Sequence, residues 1–255
     1  MYDLTNKVIL ITGASKGIGA AIAAKLGEAG AYIIAHYGSD LEGAREATAD
    51  IPEDRKLLIS ADLGKKNEVD RLWREAQSWR GQIDVFVNNA AVMRSKNIFY
   101  SEDDEWDQVW DEALSVNVLA PARLMRNAVR HYQKKGGGIL ITLSSWAAQR
   151  GSGSPNLIAY SASKAAVMAA SKTIARHFSK ENILVYMIAP GVVRTRMSED
   201  FAALSGGEEA VTAGLAMKEW VPPEDLANLV AFLSTGECRH LSGATLDVNG
   251  ASYLR

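Results

Sequence analysis

A chain of 255 residues, 47% hydrophobic and 23% charged, is long enough to bury one large core. Its net charge of −2 leaves no electrostatic footprint for nucleic acid. No run of eighteen or more apolar residues offers a membrane span, residues 1–6 lack the features of a signal peptide, and the lone Cys238 permits no internal disulfide, so a reducing, cytoplasmic setting is expected.

Short apolar runs at residues 7–12, 32–36, 56–60, 83–88, 139–144, 183–188 and 245–248 alternate with helical stretches from end to end. They are continuous in apolar character rather than alternating, as strands buried on both faces are. This rhythm predicts an α/β fold with a parallel sheet, right-handed crossovers and helices on both faces. Chemistry is then sought just beyond the carboxyl end of each strand.

After the first run comes Thr12-Gly13-Ala14-Ser15-Lys16-Gly17-Ile18-Gly19, followed by an alanine-rich helix. Glycines there allow a tight turn and close approach of backbone to a pyrophosphate, and the helix start supplies unpaired N–H groups and a positive dipole end. The spacing is GxxxGxG rather than GxGxxG, and many strand-to-helix turns also need glycine. Its place in the first βα unit points to a dinucleotide site. The second run ends His36-Tyr37-Gly38-Ser39, with no acid at its tip to grip a ribose 2′-hydroxyl. Lys16 stands where it can meet a 2′-phosphate, unless it is merely solvated. NADP(H) is therefore preferred and NAD(H) remains possible, with Tyr37 and Ser39 placed at the cofactor's adenosine end. Ser39 with Glu42 has capping-box spacing for the next helix, and Ser101 followed by acids marks another helix start.

The fourth run ends Asn88-Asn89-Ala90-Ala91, and Asn117 lies among apolar neighbours in a helix, where its amide needs a partner. That amide also suits a structural tie from helix to backbone. The fifth run ends Thr142-Leu143-Ser144-Ser145, which places a hydroxyl at the sheet edge. Tyr160 and Lys164, at i and i+4, share one helix face. A phenol titrates near pH 10, and lowering it by about three units takes roughly 4 kcal/mol. A lysine cation about 4 Å away supplies that at an effective dielectric near 20. Taken alone, the Tyr-x-x-x-Lys pattern also fits a solvated helix face.

Together, Thr12–Gly19, Asn88–Ala91, Asn117, Ser145, Tyr160/Lys164 and Pro190-Gly191 resemble the short-chain dehydrogenase/reductase family, in its branch of about 250 residues. The resemblance covers the whole chain, with the motifs in family order. It implies a single doubly wound Rossmann-type domain over residues 1–255, with seven parallel strands in the order 3-2-1-4-5-6-7. It also implies an NAD(P)-dependent oxidoreductase moving a hydride between nicotinamide and a carbonyl or secondary alcohol. The implied catalytic residues are Asn117, Ser145, Tyr160 and Lys164. Tyr160 exchanges the proton and Lys164 lowers its pKa and holds the nicotinamide ribose. Ser145 polarises the substrate carbonyl, and Asn117 holds a water in a relay to Lys164. The implied cofactor contacts are Gly13, Ser15, Lys16, Gly17, Ile18, Gly19, Asp62, Leu63, Asn89, Ala90, Pro190, Gly191, Val193 and Thr195, besides Tyr160 and Lys164. No metal site is implied. Three departures stand out: alanine at position 91 where the family has glycine, about two extra residues between Ser145 and Tyr160, and Asn249 where aspartate is common.

Specificity is expected from the segment after Ser145, with Trp146, Gln149 and Arg150, and from a lid over residues 194–220. Met197, Phe201 and Leu204 suit an apolar pocket; Gln149, Arg150 and Arg196 suit a polar or anionic substrate, or are solvated rim residues. A 3-oxoacyl group on an acyl carrier protein, a sugar, a polyol and a hydroxy-ketone are all open. Lys134, Lys135 and Lys180 suit an acidic carrier, but Gly136 and Glu181 interrupt the basic patch. A sugar-nucleotide epimerase would need a longer substrate domain. A non-catalytic NADP-sensing module is the remaining alternative, which loss of a catalytic residue would mark. The resemblance implies a homotetramer, or a dimer, packed through helices over residues 102–135 and 159–180, where Leu114, Val118, Leu124, Val167, Met168 and Ile174 face either a partner or the sheet.

Overall fold

A computed structural model of the chain describes residues 2–94 and 98–255. Its strands are β1 (Val8–Ile11), β2 (Tyr32–Tyr37), β3 (Lys56–Ser60), β4 (Val85–Asn88), β5 (Gly138–Leu143), β6 (Ile183–Pro190) and β7 (Thr245–Val248). They form one parallel sheet in the order β3-β2-β1-β4-β5-β6-β7, as the resemblance implies. Alternation within each apolar run loads both faces. Ile9 and Ile11 pack with Ile22, Leu26, Leu226 and Val230 on one side, from α1 (Gly17–Glu28) and α10 (Pro223–Thr235). Val8 and Leu10 pack with Leu72, Leu124 and Val167 on the other, from α3 (Lys66–Arg80), α5 (Ala120–Lys135) and α7 (Ile158–Phe178). The order reverses between β1 and β4, so their two following loops part and open a crevice at the carboxyl edge.

Element ends differ from expectation for local reasons. β4 starts at Val85, because Asp84 turns its carboxylate to accept the Val8 N–H at 2.8 Å. The capping box at Ser39 does not form. Helix α2 (Leu41–Ala47) is capped by Asp40, which accepts from Gly43 N at 2.9 Å, while Glu42 pairs with Arg45 at 2.7 Å. Helix α4 (Asp103–Leu114) is led by Glu102, and Ser101 instead donates to the Ile98 carbonyl.

The long helix expected over residues 102–135 is broken. Ser115–Leu119 forms a π-helical turn between α4 and α5, with the Ala120 N–H bonded to the Ser115 carbonyl. Pro121 explains the break: it has no N–H for the carbonyl four residues back, that of Asn117. Leu124, Val167 and Met168 are buried in the chain's own core, so of the apolar residues considered for assembly these three face inward. The segment after β6 carries α8 (Arg196–Ala203) and α9 (Glu208–Ala213), joined through Gly206 and Gly207, both at positive φ. Among the described residues no helix is long and apolar enough to cross a membrane.

Phe86, fully buried at the centre of the sheet, meets Trp73 edge to face at 6.2 Å. Phe86→Ala is expected to cost about 3–5 kcal/mol in urea unfolding with an unchanged m-value. A loss below 1 kcal/mol would show that this face of the core relaxes around the cavity.

Candidate active site

Apart from Tyr160 and Lys164 on α7, the residues singled out for the cofactor lie beyond a strand's carboxyl end or at the strand's last position. Gly13, Ser15, Lys16, Gly17, Ile18 and Gly19 follow β1. Tyr37 ends β2, and Ser39 follows it; Asp62 and Leu63 follow β3; Asn89 and Ala90 follow β4; Pro190 ends β6, with Gly191, Val193 and Thr195 beyond it.

The glycines are needed in the turn. Gly13 and Gly17 sit at φ +69° and +54°. A Cβ on Gly19 would lie 2.0 Å from the Gly13 carbonyl oxygen, so only glycine lets the start of α1 press against the turn. A Cβ on Gly17 would lie 3.0 Å from Thr195 Cγ2, which brings the segment after β6 across the turn. Helix α1 begins without a side-chain cap and without an acid in its first turn, leaving its N-terminal N–H groups and dipole for an anion.

The β1 turn and the β4 loop are tied together across the crevice. Fully buried Thr12 accepts from Asn89 N at 3.0 Å and from Ala90 N at 3.2 Å through its hydroxyl oxygen. The Asn89 amide donates to the carbonyls of Thr12 at 2.9 Å and Gly13 at 3.1 Å. Ala91 does not disturb this seam: its neighbour Val92 is held by the Asn117 amide, which accepts from Val92 N at 2.8 Å and donates to Val92 O at 2.9 Å. The Asn117 side chain is therefore a tie between helix and backbone. It also donates to Ser163 Oγ at 3.0 Å, and that hydroxyl donates to the Tyr160 carbonyl at 2.7 Å.

Three residues that the sequence reading left without a role thus hold the site: Thr12, Ser163 and His36. His36 is buried within β2; its Nδ1 accepts from Gly13 N at 3.1 Å, and its Nε2 lies 3.0 Å from the Ala61 carbonyl. Those contacts assign the tautomer with hydrogen on Nε2. Burial pushes its pKa down to about 4, so the imidazole is neutral. One ring therefore links the glycine turn to the loop carrying Asp62 and Leu63. A lone histidine inside an apolar strand run was the signal available in the sequence. Asp62 itself accepts from Gly64 N at 2.9 Å and pairs with Lys65 at 3.2 Å.

At the centre, Ser145, Tyr160 and Lys164 converge. Ser145 follows β5 and is buried; its hydroxyl accepts from Ala147 N at 3.1 Å and is near enough to the Tyr160 phenol to draw its pKa down. Ser144 turns the other way and donates to the Lys164 carbonyl at 3.1 Å. Lys164 is buried, its ammonium donating to the Leu143 carbonyl at 2.8 Å and lying 5.8 Å from the centre of the Tyr160 ring. Burial pushes Tyr160 up to about 12, opposed by the Ser145 hydroxyl, and burial pushes Lys164 down to about 8. The ammonium bonds the Leu143 carbonyl, and burial favours the neutral form of the phenol.

An all-parallel sheet with a glycine-lined crevice and this Ser–Tyr–Lys convergence defines a Rossmann-type dinucleotide-binding oxidoreductase. The family model described as enoyl-(acyl carrier protein) reductase matches residues 13–251. The human protein named dehydrogenase/reductase SDR family member 4 is 33% identical over 99% of this chain and 89% of its own length. The 3beta-hydroxysteroid dehydrogenase 1 of Eggerthella lenta is 34% identical over 100% of this chain and 97% of its own length. The 3-oxoacyl-acyl-carrier-protein reductase FabG of Staphylococcus epidermidis is 30% identical, covering 98% and 100% respectively. A crystal structure of a dehydrogenase/reductase from Sinorhizobium meliloti 1021 superposes with a TM-score of 0.86 at 30% identity, covering 99% of this chain and 97% of that one. This chain belongs to the short-chain dehydrogenase/reductase family of NAD(P)-dependent oxidoreductases.

His36→Leu is expected to weaken NAD(P)H binding about tenfold, since an unpaired buried N–H at Gly13 costs about 1–3 kcal/mol. The rate at saturating cofactor should change far less. Because the folded pKa is depressed, the contribution of neutral His36 to stability is present above the free value near 6.5 and is lost as pH falls towards about 4. A shallower acid limb in the stability of His36→Leu, measured by chemical unfolding from pH 7 to 4, checks this.

Proposed function

We propose that this chain is an NADP(H)-preferring carbonyl reductase or alcohol dehydrogenase acting on a small substrate, with Tyr160 as general acid and base. The observation that carries the reading is the convergence of the buried Ser145, Tyr160 and buried Lys164, whose ammonium lies 5.8 Å from the centre of the Tyr160 ring, at the crevice edge. The open start of α1, the positive-φ glycines and the seam under them fit a dinucleotide pyrophosphate. When bound, the nicotinamide supplies or accepts the hydride. Ser145 donates a hydrogen bond to the substrate oxygen and fixes its place. Tyr160, kept protonated by burial, gives its proton to that oxygen during reduction and takes it back during oxidation. Lys164, released from Leu143, brings its charge towards the phenol and the ribose hydroxyls, and Asn117 keeps the helix under them aligned. Asp62 contacts the adenine with Leu63 beside it, Asn89 and Ala90 lie along the cofactor ribose, and Val193 and Thr195 hold the carboxamide beyond Pro190 and Gly191. Residues 194–220 act as the lid.

Lys16 is exposed, stands at the mouth of the glycine turn and has no ion-pair partner among the described residues, and no acid follows Tyr37 before Asp40. That supports recognition of a 2′-phosphate. Exposed Leu114, Leu119 and Ile158, on α4, the π-helical turn and α7, support assembly through this helical face as a homotetramer or dimer.

Tyr160→Phe should keep its fold and NADPH affinity while turnover falls by about a hundredfold or more; near-normal rates would sink the acid–base assignment. Lys16→Ala should weaken NADPH binding about tenfold and NADH binding little, since a lost charge-assisted contact is worth about 1.5–3 kcal/mol; equal losses would remove the 2′-phosphate reading. Because the folded pKa of Lys164 is depressed to about 8, its charge is lost as pH rises through that value, and the rate of carbonyl reduction should fall above it. A pH–rate profile that stays flat up to pH 10 would show that this charge is not used.

A further inference from the structure

Most of the cations around the mouth of the site are already neutralised. Arg94 forms a two-pronged pair with Glu112 at 2.6 and 2.7 Å. Arg194 pairs with Glu208 at 2.9 Å, and Arg196 with Asp200 at 2.9 Å. Asp247, the acid near the segment after Ser145, accepts from Gln149 at 2.8 Å and pairs with Arg255 at 2.8 Å. Arg150 is different. Its guanidinium lies 4.3 Å from the centre of the Trp146 ring and 5.6 Å from that of Tyr253, and it has no carboxylate partner among the described residues.

Contact with ring faces occupies the flat surfaces of a guanidinium and leaves its in-plane N–H donors available. Those donors form the fork that grips a carboxylate or phosphate. The aromatic contacts also restrain the long side chain, so less freedom is lost when an anion binds. The position is specific too. Trp146 follows Ser145 directly, its Cε3 would lie 3.5 Å from a Cβ on Gly191, and its ring joins the lid cluster of Ala202, Leu215 and Trp220. On the other side, Ser252 accepts from Ala216 N at 3.1 Å, tying residues 249–255 to the lid. Arg150 therefore stands where the Ser145 segment, the lid and residues 249–255 meet. It ends the short helix α6 (Ala147–Arg150), about 6 Å of helix rise beyond Trp146.

From this geometry we infer that Arg150 is a specificity-determining residue that holds an anionic group of the substrate, carboxylate or phosphate, separated by several bonds from the carbonyl at Ser145 and Tyr160. The inference rests on the carbonyl-reductase reading above and narrows its substrate class to anionic oxo compounds and the matching hydroxy compounds. Gln149 and Arg196 do not share the role, because their polar groups are committed to Asp247 and Asp200.

The test uses medium-length straight-chain ketones in matched sets: an (ω−1)-oxo acid, its methyl ester and the corresponding oxoalkyl phosphate, each with NADPH. The native protein should favour the anionic members. In Arg150→Gln, kcat/KM for them should fall about tenfold to hundredfold, mainly through KM. The ester and the KM for NADPH should be unchanged, and Arg150→Lys should restore only part of the loss. Raising the ionic strength should erode the preference in the native protein alone. A response confined to the acid or to the phosphate identifies the source of the anion. Native protein that turns over the ester as well as the anions, or an Arg150→Gln effect equal on both, overturns the inference while leaving the carbonyl-reductase reading intact. Absence of turnover with every member overturns that reading and this inference with it.

Discussion

The site depends on a seam a few atoms wide. Where the strand order reverses, the loops after β1 and β4 diverge, and their backbone polar groups would otherwise be left unpaired at the edge of the core. Thr12 and Asn89 close that gap with four hydrogen bonds of 2.9–3.2 Å. The closure fixes Gly13, which positions Gly19 by direct contact and so sets where α1 points its open end. His36 extends the constraint to a third loop by joining Gly13 to Ala61. Three strand ends thus act as one surface, and a ligand that touches them meets a site already ordered.

The centre follows a different logic. Burying a phenol and an ammonium side by side disfavours both charged forms, which raises one pKa and lowers the other. The lysine remains tolerable there because its ammonium finds the Leu143 carbonyl. Asn117 and Ser163 hold the helical backbone beneath the pair, and the π-helical turn caused by Pro121 aims the Asn117 amide at Val92. A π-helical turn at such a place trades helix regularity for the direction of one side chain.

At the mouth, neutralisation of charge carries the information. Arg194 and Arg150 both lie over tryptophan rings, at 5.0 Å from Trp220 and 4.3 Å from Trp146. Arg194 has Glu208 as its counter-ion, within the segment after β6. Arg150 has no carboxylate partner among the described residues and rests against Trp146 and Tyr253 instead. The relatives named for steroid and acyl-carrier-protein substrates share the family with this chain, so the fold alone does not choose the substrate.

Much of the molecule was legible in the sequence. Continuous apolar runs such as residues 7–12 and 183–188 fit strands covered on both faces, and their alternation with helices points to a parallel sheet whose chemistry lies at one edge. Motif spacing placed Ser145, Tyr160, Lys164 and the glycine turn at that edge, because short-range geometry ties each to the end of a strand or the start of a helix. Tertiary structure alone decided the rest. The capping role passed from Ser39 to Asp40, and Leu124, Val167 and Met168 turned inward, because competing partners lie far along the chain or on the opposite face. His36 became a tie between loops, Lys164 gave its hydrogen bond to Leu143 rather than to the phenol, and Arg150 alone among the rim arginines considered kept an unpaired charge. Local sequence sets which groups a turn or helix can present; which of them remain unpaired, and at what protonation, depends on neighbours that only folding brings within hydrogen-bond distance.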